Sequence, residues 1–86
     1  MDSKEVLSIY MKAFAENLKR VRTDKFDKMS GVSKNSGFNK SNYSKYEQGI
    51  GNPTIETILK MAIVLEIEPK DLFDFKFDIK KYNIDD

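Results

Sequence analysis

Between residues 36 and 65 the chain carries its chemistry as hydrogen-bonding side chains rather than as catalytic groups. Lys40, Ser41, Ser44 and Lys45 recur at the spacing of one helix face, with Asn42 beside them and no carboxylate among them. Lysine donates to guanine O6 and N7, asparagine can bond adenine through two hydrogen bonds, and serine can serve either base. Such a face suits the major groove of DNA. Taken singly, each lysine is almost equally well read as a solvated or phosphate-binding cation. It is the face as a whole that favours DNA.

A face like this works only if the chain around it holds a helix in place. Ser36-Gly37 is a turn signal, and the side-chain oxygen of Asn39 can cap a helix that runs for about two turns, from Lys40 to Gln48. Tyr43 and Tyr46 form its core edge. Gly49 can take a positive φ and close the C-terminus. Asn52-Pro53-Thr54 then stops the connection, and Thr54 is set to cap the next helix, 54–65. In that helix Ile55, Ile58, Leu59, Ala62, Ile63 and Leu65 recur at helical spacing. Upstream, Val6, Ile9, Tyr10, Ala13, Phe14, Leu18 and Val21 make a continuous stripe, which predicts a long first helix from about Ser3 to Thr23. A second helix should fall between Lys28 and Asn35, in a stretch of weak helix formers. A fifth should begin at Pro69, a favourable first helical position, and bury Leu72 and Phe73.

The tail, 74–86, changes period. Phe73, Phe75, Phe77 and Ile79 alternate with Asp74, Lys76, Asp78 and Lys80, which is strand spacing. A lone strand has nothing in such a domain to pair with. Two copies could pair across a dimer axis, or the aromatics could dock against the start of the first helix, or the fifth helix could run on and fray. The extended, dimerising strand is the preferred expectation.

Composition removes most other classes of function. Eighty-six residues allow one domain whose folding buries only about 60–65% of the unfolded surface. The absence of cysteine leaves no disulfide and no thiolate metal site, and the absence of histidine removes the commonest general base and metal ligand. The acidic groups near 71–74 and 85–86 read as solvated faces, Gly49-Ile50-Gly51 as a turn, and the two glycosylation sequons at Asn39 and Asn42 as chance. Neither enzyme, cofactor, metal nor small-molecule ligand is expected. The longest apolar run, 61–65, is far too short for a bilayer, and the first residues do not resemble a secretory signal, so a cytoplasmic protein that avoids membranes is expected. Residues 1–53 carry ten Lys/Arg against six Asp/Glu, whereas 54–86 carry five against eight. The halves are therefore +4 and −3, which fits one DNA-facing side and one side turned elsewhere.

The segment from Ser36 to Ile58 resembles the XRE type of helix-turn-helix domain, to which the lambda-repressor and Cro-like regulators belong. The family pattern S-G-V-S-R-S-Y-I-S-R-I-E-R-G-K-R-N-P-S-L-E-T-L lies over it without gaps. Further matches are 14–20 (Phe-Ala-Glu-Asn-Leu-Lys-Arg) and 67–73 (Ile-Glu-Pro-Lys-Asp-Leu-Phe). The resemblance implies an all-α, five-helix domain over 1–73, with 1–13 an extension of the first helix, followed by the tail. It also implies a sequence-specific regulator of transcription that binds a palindromic double-stranded operator as a homodimer. Lys40, Ser41 and Lys45 would reach base edges, with Asn42 and Ser44 at the flanks. Lys28, Asn39, Gln48, Gly51 and Asn52 would meet phosphates, and Arg22 would pair with Glu47 between the first and third helices.

The second helix departs from the family pattern L-S/T-Q-E-E-L-A. A gapless alignment buries Asp27, whereas a shift by one buries Phe26 and makes Asp27 the cap, at the cost of one extra residue near Asn35-Ser36. In both registers the family's phosphate-contacting glutamine is missing, and Met29 or Lys28 stands there. An antitoxin or a restriction–modification controller would have the same fold. A protein-interaction module that has lost DNA binding is the alternative of another class.

Overall fold

The computed structural model describes residues 1–28, 31 and 40–85, and of Lys40 the backbone only. Among these residues the architecture is all-helical, with three α-helices, α1 (Ser3–Lys25), α2 (Lys40–Glu47) and α3 (Ile55–Leu65), and no β-strand. Two 3-10 turns follow, Pro69–Phe73 and Ile79–Lys81. The expected helix between Lys28 and Asn35, the Ser36-Gly37 turn and the Asn39 cap lie outside the described residues, apart from Lys28 and Gly31. Phe26 packs on the core while Asp27 is exposed, which is the arrangement of the shifted register.

Each helix has its local causes. Asp2 caps α1, accepting from the Glu5 amide at 2.8 Å, and Glu5 at its start and Arg22 and Lys25 at its end complement the helix dipole. Thr54 caps α3 by accepting from the Thr57 amide at 3.2 Å. At the far end Glu66 takes the left-handed conformation, φ 56°, and its carboxylate meets Lys25 at 2.6 Å. The core forms where α1 crosses α2 and α3: Phe14, Leu18, Tyr43, Ile58, Met61, Ala62, Leu65 and Leu72.

Two expectations change in the C-terminal third. Pro69 opens a five-residue 3-10 turn, not an α-helix. The cause lies on α1, where the buried Asn17 amide donates to the carbonyls of Asp71 and Leu72 at 3.0 and 2.9 Å. Those are the acceptors that a continuing helix would have needed. Leu72 is buried as expected, but Phe73 stays partly exposed while its ring leans on Phe14, 5.2 Å between centroids.

The tail forms no strand among the described residues. It folds back along the first half of α1 in the same chain. Phe75 and Phe77 both meet Tyr10, at 5.2 and 4.8 Å, and Phe77 stacks on Tyr82 at 4.9 Å. Of the alternating set Phe75 and Phe77 face this helix rather than a second strand, whereas Ile79 is 75% exposed. Past Tyr82, the Met1 ammonium donates to the Asn83 carbonyl at 3.1 Å and lies 3.4 Å from the Asp85 carboxylate.

Candidate nucleic-acid interface

α2 is short, eight residues, so its position must come from what lies beneath and behind it. Beneath it Tyr43 is fully buried, and burial, followed by the nearby Glu47 carboxylate, pushes its phenol well above the usual tyrosine range. Behind it Glu47 turns inward and takes a two-pronged contact from α1. Arg22 Nε donates to Glu47 Oε2 at 2.9 Å and Nη2 to Oε1 at 2.8 Å, with both side chains almost wholly buried. The remaining terminal nitrogen of Arg22 donates to the carbonyls of Phe26 and Asp27, at 3.1 and 2.8 Å. The hydrogen bond to Glu47 holds the guanidinium pKa above its ordinary value. One side chain thus fixes α2, the end of α1 and the chain leaving α1.

The turn after α2 is equally constrained. Gly49 has φ +76°, and a Cβ there would lie 3.0 and 3.1 Å from Lys12 Cγ and Cα, so the loop rests directly on α1. The amides of Ile50 and Gly51 both donate to the Lys45 carbonyl, at 3.1 and 3.2 Å, and a Cβ on Gly51 would strike the Tyr46 ring at 2.8 Å.

What remains outward on α2 is polar and free of negative charge, because Glu47 is its one carboxylate and is held by Arg22. Ser41, Asn42, Lys45 and Gln48 are exposed, while Ser44 is half-buried and accepts from Gln48 Nε2 at 2.6 Å. Lys40 opens the helix. Of the residues expected at phosphates, Lys28, Gln48 and Asn52 are exposed, Gly51 is half-buried with its amide already bonded to Lys45, and Asn39 is outside the described residues. Beyond Asn52, α3 begins with the Ile55 and Glu56 amides, which as first-turn donors have no acceptor within the helix. The Gly49–Asn52 turn thus leads from the polar side chains of α2 towards the free amides at the start of α3.

Sequence reasoning found the α2 face and the Arg22–Glu47 pair. It missed Asn17, whose buried amide ties α1 to the Pro69–Phe73 turn, and Met61, which is fully buried. It counted Ile55, Leu59 and Ile63 in one helical series with Ile58, Ala62 and Leu65, and those three are exposed. Their spacing of four residues sets them on a stripe that flanks the face of Ile58, Ala62 and Leu65.

A family model described as helix-turn-helix matches residues 18–72. A search of curated proteins gives no match. Among solved structures, the restriction-modification controller protein C.AhdI from Aeromonas hydrophila is similar, with 33% sequence identity and a TM-score of 0.68. The likeness covers 73% of this chain and 96% of that one.

Proposed function

Because the chain belongs to the XRE-type helix-turn-helix family, with 55 of its 86 residues inside the matched segment (18–72), we propose that it is a sequence-specific regulator of transcription that binds a palindromic double-stranded operator as a homodimer. It acts in the cytoplasm by occupying DNA, without catalysis, cofactor or small-molecule ligand. Within an all-helical domain over 1–73, the segment 28–35 supplies a further helix ahead of α2. Ser41, Asn42 and Lys45, together with Lys40 and Ser44, read base edges in the major groove. Lys28, Asn39, Gln48, Gly51 and Asn52, with the first amides of α3, hold phosphates.

One observation carries this reading: the only carboxylate of α2 is drawn inward by Arg22, which leaves its outer face with donors and no anion to repel phosphate. The likeness to a restriction-modification controller favours that role over an antitoxin for this chain. A gel shift on DNA from the chain's own upstream region tests the proposal. The expected result is a discrete complex that survives excess unrelated DNA at salt near 100 mM. Equal competition by unrelated DNA would overturn sequence-specific binding, and no complex at all would leave the interaction-module reading.

A further inference from the structure

α3 buries Ile58, Met61, Ala62 and Leu65, yet Ile55, Leu59 and Ile63 are 85%, 51% and 66% exposed. At intervals of four residues these three form one stripe along the helix. Three large aliphatic side chains in a row form the kind of contiguous apolar patch that marks an interaction surface. From the stripe we infer that it is the seam between two copies of this chain, with the two-fold axis passing through Leu59; the inference rests on the homodimer part of the proposed function.

Three features of the surface point to a second copy rather than to another partner. The stripe reads Ile-Leu-Ile in both directions, so a two-fold operation about Leu59 lays it on itself, with Ile55 of each copy against Ile63 of the other. Self-complementarity of this sort is what an isologous interface demands. The charges beside it are self-complementary as well. Glu56 and Lys60 follow Ile55 and Leu59 on the same flank and pair within the helix at 3.3 Å. With the helices antiparallel, Glu56 of one copy comes level with Lys60 of the other, and the reverse, to within about one turn. Finally, Ile55 forms one wall of a narrow apolar groove of about 180 Å³, lined also by Leu7, Met11, Pro53 and Phe73. The two-fold brings Ile63 of the second copy to its mouth. Each copy thus offers both the socket and the side chain that fills it.

The chain has no cysteine, which allows a clean test in the absence of DNA. Leu59→Cys should form a covalent dimer under mild oxidation, because the axis brings the two sulfurs together. Ile79→Cys, 75% exposed on the tail turn, should not. Mixing Ile55→Cys with Ile63→Cys should give a mixed dimer. By sedimentation equilibrium, Leu59→Glu should keep its fold by circular dichroism and weaken self-association at least about tenfold. If the unmodified chain sediments as a dimer while Leu59→Cys does not cross-link and Leu59→Glu still dimerises, the seam is elsewhere and only this inference fails. If the unmodified chain is monomeric at 100 μM (roughly a hundredfold above the micromolar range), both the seam and the homodimer fall.

Discussion

At the scale of single residues, the contact that matters most is hidden behind the outer face of α2. Arg22 spends its guanidinium on two oxygens of Glu47 and two backbone carbonyls. A lysine has one compact ammonium and cannot span that set. Arg22→Lys should therefore behave nearly as badly as Arg22→Ala, and either should cost about 3–5 kcal/mol in urea unfolding, because a buried carboxylate is left without its partner. Full stability in Arg22→Lys would refute this. Tyr43 gives a separate prediction at high pH. Its folded-state pKa is raised, so above about pH 10 the unfolded chain releases the phenolic proton first. The stability present below that pH then falls as pH rises, by up to about 1.4 kcal/mol per unit. Tyr43→Phe should lack this slope in alkaline denaturation curves. On the outer face, Lys40→Ala or Lys45→Ala should cost about 1–3 kcal/mol and relax preference at one base position if the lysine reads guanine. A lysine that meets only phosphate should weaken binding evenly and lower the salt slope by about one. Base-by-base scans of the operator with each variant decide between the two, and no effect from either would remove α2 from the interface.

Elements were legible where their partners are local or obligatory. α1 was legible from its apolar stripe, and the end of α2 and the start of α3 from Gly49 and Thr54, residues whose local backbone chemistry admits few alternatives. The Pro69 turn was not legible as a 3-10 turn, because what cuts it short is Asn17, some 54 residues away. The tail pattern was read as one-sided, which holds for Phe75 and Phe77 but not for Ile79, and alternation does not reveal whether the facing surface is a strand or a helix. Nor could periodicity divide α3 into core and surface, since a helix apolar almost all round looks the same whether its second partner is its own chain or another. For the tail the structure makes a firm prediction. Removing 75–86 uncovers Tyr10 and should lower the melting temperature, yet leave self-association at micromolar concentration intact. Conversion to a monomer would return the dimer contact to the tail.

For the whole molecule the governing quantity is the separation of two α2 helices. One helix of eight residues reads only a few base pairs, so two copies should protect half-sites whose centres lie roughly 10 bp, or about 34 Å, apart. Footprinting that gave a single unrepeated half-site would contradict this. The family was legible in the sequence because helix, glycine stop, proline and capping threonine come in a fixed order. The exposure of Ile55, Leu59 and Ile63 was not, because the chain's pattern records only that they are apolar.

The contact between Met1 and Asn83 has a consequence for the order in which the protein assembles. It joins residues 82 positions apart, the Asp85 amide beside it donates to the Met1 carbonyl at 3.2 Å, and the ion pair with Asp85 is largely open to water, so the contact returns little free energy for closing so long a loop. Everything between must already be in place before that loop can close. The two ends should therefore be the last part to come together after synthesis and the first to part on warming, while the α1–α2–α3 core persists. Amide exchange would register this as fast exchange at Asp85 and slow exchange at Leu18, in the core of α1.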